Sequence, residues 1–384
     1  MLWAALHFPS PGQGLEPLAA WACQFTPKVS LEPPRALLLE LAGSLRYFEG
    51  LETLLQLVER GCGEMDVPVC LATAATPRAA LWLARSGKAQ LEDVPLEASG
   101  FDSLFFKNLG LSTIGDLRKL PRDGLARRCG QALVDDLDRA LGALPEPREY
   151  FTPPARFAAQ LELPAPVAHA EALLFAARRL LVQLEGLLRA RHEGVRAFTL
   201  VLDQKPVHVG LASPTRETTR FTDVLREKLT TLVLAQPVEI LGIEARDFEP
   251  LHGRSRTMFE DAAAEAEDWS RLLERLRARL GRDAVQGLAT QPDHRPELAW
   301  RSVEPGEWDP REFTQPGPRP IWLVEPPRRL REGDFLLLTG PERIEAGWWD
   351  GDDARRDYFI ASIHEALAWI YREKDQWFLH GLFA

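Results

Sequence analysis

Side-chain chemistry needs acids, bases, nucleophiles or metal ligands at set spacings, and this sequence offers few such groups. The four cysteines, Cys23, Cys62, Cys70 and Cys129, have no C-x-x-C spacing and no histidine pair beside them. Neither a zinc centre nor a disulfide scaffold is therefore expected, and a reducing, cytoplasmic setting fits. The G-x-x-x-x-G-K-[ST] phosphate loop, the G-x-S-x-G nucleophile turn and the H-E-x-x-H zinc pair are all missing. His294 lies in Asp293-His294-Arg295-Pro296-Glu297, which reads either as a site or as a salt-bridged loop. The remaining signal is charge. Residues 101–130 carry six basic side chains (Lys107, Arg118, Lys119, Arg122, Arg127, Arg128) against three aspartates, in a chain of net charge −10. With Gly110 and Gly115 placed for tight turns, this stretch is either a phosphate-contacting turn or a solvated helix face. The overall acidity opposes a general polyanion binder, so any DNA contact must come from such local patches.

The elements that position these residues are legible in outline. At 384 residues, with 30 prolines and 11 tryptophans, the chain is long enough for two to four compact units. No stretch approaches 18 uninterrupted apolar residues, and the opening residues lack a basic, then apolar, leader pattern, so neither membrane spanning nor secretion is expected. Residues 18–25, 51–60 and 76–85 read as helices and 37–42 and 68–72 as strands, a small α/β layer; 91–147 is helical with short loops. From 157 to 243 the order is β-α-β-β-α-β. Its first helix, 168–192, carries the stripe Leu173, Ala177, Leu180, Leu184 and Leu188 and is expected to close at Gly194. Such a unit forms an antiparallel sheet with both helices on one face and the other face free for a partner. Residues 256–280 predict a helix whose stripe Trp269, Leu272, Leu273, Leu276 and Leu280 reads as core, capped by Gly281. Nine prolines between 292 and 327 predict an extended connector, and 335–339, 358–362, 367–371 and 377–382 short strands of a β-rich tail.

The run Phe25-Thr26-Pro27-Lys28-Val29-Ser30-Leu31-Glu32, followed by Leu38-Leu39-Glu40-Leu41-Ala42-Gly43-Ser44, resembles the palm strands of Y-family translesion polymerases. Residues 107–117 are similar to that family's thumb, and the β-α-β-β-α-β unit to its little finger. The tail run from Gly340 through Trp348, Trp349 and Asp350, with the terminal Trp377-Phe378-Leu379-His380-Gly381-Leu382-Phe383, resembles the ImuB-type branch. Each piece is weakly specific; their order along nearly the whole chain is strong. The implied fold is α+β and multidomain: a remnant Y-family palm (1–90), a helical thumb (91–149), a little-finger-like DNA-binding domain (150–250), a helical region (251–291), a proline-rich connector (292–333) and a small β-rich tail (334–384).

Nucleotidyl transfer in that family needs two metal ions held by carboxylates. The resemblance implies an acidic pair on the palm strand where Arg35-Ala36 stand, and a first acid in the opening strand, yet residues 2–8 hold none and Glu16 is the first acid. Glu32 and Glu40 are the nearest substitutes. Ser10-Pro11-Gly12-Gln13-Gly14 stand where the fingers and part of the palm would be, and Glu97-Ala98-Ser99 where the first glycine turn of the thumb would be. The expectation is a chain without catalytic residues, metal or cofactor that contacts primer–template DNA through Lys107, Gly110, Gly115, Arg118 and Lys119. The resemblance further implies a β sliding clamp, an error-prone replicative-type polymerase and a RecA-like ImuA-type protein as partners. Pro318, Pro320, Ile321, Trp322 and Leu323 form the candidate clamp peptide, with an aliphatic–aromatic anchor pair on an extended segment. The same residues also read as the first strand of the tail. Two other readings stay open: a degenerate but active polymerase using Glu32 or Glu40, and a protein-only scaffold that no longer binds DNA.

Overall fold

A computed structural model describes residues 1–10, 14–251, 260–306, 318–349, 351 and 353–383. The bridging residues Pro11, Gly12 and Gln13, the helix start expected at 256–259, the connector residues 307–317 and Asp350 of the tail motif lie outside the described residues. The chain divides into two compact units, Met1–Gly281 and Arg282–Ala384. The stretches 1–90, 91–149 and 150–250 all fall in the first. Among the described residues no helix is long and apolar enough to cross a membrane.

The first unit opens with β1 (Trp3–His7), α1 (Leu15–Ala22), β2 (Val29–Glu32), β3 (Ala36–Glu40), α2 (Leu51–Glu64), β4 (Cys70–Ala74) and α3 (Pro77–Ser86). The strands form an antiparallel sheet in the order β2-β3-β1-β4. Strands β1 and β3 are apolar along nearly their whole length because helices cover both faces. Ala4, Leu6, Leu37 and Leu39 pack under α1 and α2. Trp3, Ala5, Ala36 and Leu38 lie under Ala80, Leu81 and Ala84 of α3. Helix α3 starts at Pro77 behind Thr76, whose hydroxyl accepts the Ala79 N–H at 3.2 Å, and ends at Gly87, left-handed at φ 66°.

Five short helices follow: α4 (Leu96–Ser99), α5 (Ser103–Lys107), α6 (Ile114–Arg118), α7 (Arg122–Cys129) and α8 (Gln131–Leu141). They close around Phe106, Ile114, Leu117, Val134 and Leu137 together with Trp82 of α3, which ties them to the sheet domain.

The next block is β5 (Phe157–Val167), α9 (Leu173–Arg191), β6 (Glu193–Leu202), β7 (Lys205–Thr215), α10 (Thr218–Thr231) and β8 (Val238–Ala245), with a short β9 (Glu249–Pro250) beside β6. Its sheet order, β5-β8-β6-β7, is antiparallel throughout and interleaves two β-α-β units, each with one strand of the other inserted. Leu173, Ala177, Leu180, Leu184 and Leu188 are fully buried with Phe198, Leu200, Phe221 and Ile243, so both helices occupy one face. The expected cap at Gly194 is corrected. His192, left-handed at φ 56°, ends α9, while Gly194 lies in β6, where a Cβ would meet Leu251 at 2.7 Å.

Helix α11 (Glu260–Leu280) packs on α10 and β7. The expected core stripe is also corrected. Leu273 is buried, but Trp269, Leu272, Leu276 and Leu280 are exposed. The buried face is set by Glu274, 2% exposed, whose Oε1 accepts the Ala212 N–H at 2.7 Å and whose Oε2 accepts Arg220 Nε–H at 2.9 Å. A buried charge must keep its partners, and that requirement outranks the apolar stripe in choosing the helix rotation.

The second unit contains a hairpin of β10 (Gly287–Thr290) and β11 (Trp300–Val303), then β12 (Trp322–Leu330), β13 (Leu336–Ala346), β14 (Ala354–Ile363), β15 (Ala366–Glu373) and β16 (Gln376–Leu382). The last five form an antiparallel sheet in the order β12-β16-β15-β14-β13. The connector expected over 292–333 is therefore partly strand, and the tail sheet begins at Trp322 rather than 334. Pro326 and Pro327 are compatible with β12 because it is an edge strand whose register with β16 shifts between Leu323 and Arg328.

Candidate functional site

The sheet β2-β3-β1-β4 presents one row of side chains across its four strands. Glu32 pairs with Ala36, Ala36 with His7, and His7 with Cys70, so these four share the face on which α3 lies. Arg35 enters β3 beside them, its carbonyl accepting the Phe8 N–H at 2.8 Å. His7 Nδ1 is buried with no hydrogen-bond partner. Its imidazole is held below the usual histidine pKa by burial first, then by the guanidinium groups of Arg85 and Arg35.

Glu32 and Glu40 do not converge. Glu32 lies opposite Ala36 and accepts from Arg148, whereas Glu40 lies opposite Trp3, four residues along β3. That offset is about 13 Å at strand rise. The buried Glu40 carboxylate accepts the Ala42 N–H at 3.2 Å and pairs with Lys28 at 3.5 Å. Among the described residues no cluster of three or more His, Cys, Asp or Glu side chains has metal-binding geometry.

In the turn between α5 and α6, Gly110 is left-handed at φ 73° and donates its N–H to Lys107 O at 3.0 Å. Gly115 sits inside α6, where a Cβ would come within 2.9 Å of Glu92 O. Glu97, Ala98 and Ser99, which stand in place of the expected first glycine turn, lie in α4, and Gly100 closes that helix at φ 83°. Thr113 caps α6 with Asp116 in a reciprocal box. The N–H groups of Ser112 and Thr113, with the Thr113 hydroxyl and Lys119, hold the Asp116 carboxyl at about 2. The basic residues of the turn are already engaged: Lys107 with Glu97 at 2.5 Å, Lys119 with Asp116 at 3.3 Å, Arg118 with Glu92 and Arg122 with Asp138. Arg127 and Arg128, exposed at the end of α7, make no ion pair among the described residues.

The helix-free face of the β-α-β-β-α-β sheet is low in relief. Ala158, Glu244, Thr199 and His208 form one row across it, and Gln160, Gly242, Val201 and Pro206 the next. These residues line two open troughs. Thr199 Oγ1 and His208 Nδ1 are 3.0 Å apart.

The candidate clamp peptide is anchored at one side and free at the other. Arg319 forks onto Glu342 at 2.7 and 2.5 Å and stacks over Trp369 at 4.9 Å. Pro320 packs so closely over Gly381 that a Cβ there would meet its ring at 2.4 Å. Pro318 is exposed, and Ile321 and Trp322 are 80% and 70% exposed. Leu323 turns toward the core of Ile344, Tyr358, Trp369 and Tyr371. Trp322 both opens β12 and projects from it. Near His294, Arg295 is buried and pairs with Asp293 at 2.8 Å, the arrangement of a salt-bridged loop.

Two groupings had no sequence signal. The cationic surroundings of His7 are assembled from three elements. In the tail, buried His380 bonds Tyr358 at 2.8 Å through Nδ1, and Arg356 bonds Glu297 at 2.7 Å. These residues are too far apart in sequence for spacing to suggest a site.

No family model matches the chain. Protein ImuB of Caulobacter vibrioides, in each of two strains, is 28% identical over 444 residues, taking in 100% of this chain and 96% of that protein. The aligned span exceeds the 384 residues here, so the relative carries positions without a counterpart in this chain. Among solved structures, a Dbh ternary complex covers 65% of this chain and 100% of its own at 12% identity and a TM-score of 0.30. DinB from Sulfolobus solfataricus gives the same coverage at 11% and 0.32. Scores at this level place no fold; the resemblance to the ImuB type rests on sequence similarity along the whole chain.

Proposed function

Proceeding from that whole-length similarity, we propose that the chain is a non-catalytic, Y-family-polymerase-like adaptor in damage-induced translesion DNA synthesis and mutagenesis. It links primer–template DNA to a β sliding clamp, an error-prone replicative-type polymerase and a RecA-like ImuA-type protein. The observation that carries the reading is the row Glu32–Ala36–His7–Cys70 with Arg35 beside it. A two-metal site needs several carboxylates converging on two cations that lie about 4 Å apart, and this row offers one, already held by Arg148. The open sheet face, with Arg127 and Arg128, supplies DNA contact, and the segment from Pro318 to Leu323 supplies the clamp contact.

Primer extension by the pure full chain tests the first half. With a primed template, all four nucleotides and Mg²⁺ or Mn²⁺, no product is expected; incorporation above the protein-free control overturns it. The protein-only reading draws support from the internally paired thumb cations and from Glu162 and Glu244 on the sheet. Primed-DNA binding that weakens steeply with salt favours the adaptor, because phosphate contacts release counterions; no binding at low salt favours the protein-only scaffold.

A further inference from the structure

Helix α11 carries an apolar surface that nothing in the first unit covers. Trp269, Leu272, Leu276 and Leu280 are 54%, 47%, 38% and 58% exposed. Side chains three and four residues apart on a helix are neighbours, so these four stack into one continuous strip. At the helical rise the strip runs about 16 Å along the axis. A scattered exposed leucine needs no explanation, but a continuous strip marks a contact surface. It lies beside the face that packs on α10 and β7, where Leu273 and Glu274 are buried. Because Glu274 is bound to Arg220 and to the Ala212 N–H, α11 cannot rotate to bury the strip without stranding a charge.

The border of the strip is cationic. In helical projection Arg271, Arg275 and Arg279, all exposed, follow one another along the side opposite Leu273. Asp268 is the one exposed acid among the described side chains of α11. Arg275 meets Glu227 at 2.8 Å and Arg271 meets Glu217 at 3.8 Å, with both guanidinium groups still at least half exposed. Surface pairs of this kind are worth up to about 1 kcal/mol, too little to withhold the arginines from a better acceptor. Arg279 makes no ion pair among the described residues.

A straight, narrow strip fits the apolar stripe of a second helix laid alongside, read through anchors at i, i+3 and i+4. The arginine border calls for Asp or Glu on the facing flank of that helix. A second copy of α11 fits less well, since an antiparallel two-fold pair would set the three arginines against their own copies. Nucleic acid would satisfy the arginines but give the leucines nothing to bury against. We propose that this strip of α11 is a docking site for an acidic amphipathic helix of a partner protein. This goes beyond the adaptor reading, which uses the open sheet face, Arg127 and Arg128 and residues 318–323, and it stands whether or not that reading holds.

The test titrates the full chain into two labelled synthetic peptides and follows their anisotropy. Both are amphipathic helices with leucine at heptad positions a and d; one carries glutamate at e and g, the other lysine. The glutamate peptide should bind, and the lysine peptide at least about tenfold more weakly, because a repulsive flank replaces an attractive one. Leu272→Glu/Leu276→Glu should weaken the glutamate peptide by at least about tenfold, since charges replace two apolar anchors. Arg279→Glu, at an exposed position where the fold is indifferent, should weaken it by about threefold to tenfold; its melting temperature separates loss of contact from loss of fold. Absence of binding by the glutamate peptide, equal binding of the two peptides, or wild-type affinity in the leucine double variant overturns the proposal. Self-association of wild type that the leucine double variant abolishes in sedimentation also overturns it and assigns the strip to a second copy. A loss of primed-DNA affinity in that double variant overturns it in favour of nucleic acid. None of these readouts involves primer extension or the sliding clamp.

Discussion

Replacing Trp322 by alanine separates the proposed clamp contact from fold stability, because the side chain contributes little to the sheet that presents it. It is 70% exposed, whereas the next residue, Leu323, turns into the core. A tryptophan buries about 150–250 Å² when fully covered, so docking removes roughly 150 Å² of this ring from water. At about 25 cal/mol per Å² this is a gross gain near 4 kcal/mol. Ordering and imperfect desolvation reduce the net, so Trp322→Ala should cost about 2–3 kcal/mol, or roughly 30–140-fold in Kd. The melting temperature should stay near wild type, as expected for an exposed position. Arg319→Ala should weaken binding less, by loosening the segment that the Glu342 fork and the Trp369 stack hold in place. The assay is calorimetry of the full chain against purified sliding clamp. An unchanged Kd for Trp322→Ala, with the fold intact, removes this segment from consideration and leaves the other expectation, an ordinary first strand.

Glu274→Ala would strand the Arg220 guanidinium and the Ala212 N–H in the interior, at about 3–5 kcal/mol. Arg220→Met/Glu274→Leu should recover most of that loss in urea titrations of the N-terminal unit's transition, and a single variant within about 1 kcal/mol of wild type would refute the argument. In the C-terminal unit, burial lowers His380 to about 4, with Arg356 reinforcing and Glu297 opposing. The unfolded value is near 6.5, so the unfolded chain binds more protons between these limits. Stability present above pH ~6.5 should fall by up to ~3 kcal/mol as pH drops toward ~4. Melting curves across that range test this, and an equally steep decline in His380→Gln assigns it to other groups.

The parts legible in the sequence were those set by local periodicity. Phe157, Ala159 and Leu161 alternate as β5 requires, and the leucine stripe of α9 is buried as its spacing demands. What escaped reading depends on partners distant in the chain. Lys107 and Arg118 look like free cations until Glu97 and Glu92 are folded beside them. The α11 stripe looks like core until Glu274 meets Arg220, 54 residues away. Three hairpins turn on Asp203-Gln204, His364-Glu365 and Lys374-Asp375, all with positive φ, where no glycine announces a two-residue turn. Strand β12 was legible only at its start, where residues 321–323 read as a first strand of the tail; its continuation runs through prolines that an edge strand with a register shift admits. The row Glu32–Ala36–His7–Cys70 could not be assembled from spacing, since it draws one residue from each of four strands.

The same dependence on distant partners explains two glycines in helix interiors, where each costs about 1 kcal/mol relative to alanine. A Cβ on Gly186 of α9 would meet the Trp21 ring at 2.5 Å, and one on Gly61 of α2 would meet it at 2.4 Å. Trp21 is thus wedged between α2 and α9, the first helix of the β-α-β-β-α-β block, and Arg179 adds a bond to Met65 O at 2.7 Å. Burying one tryptophan on both faces is worth more than the two glycine penalties. The block is therefore fastened through its helical side, and its open sheet face stays available.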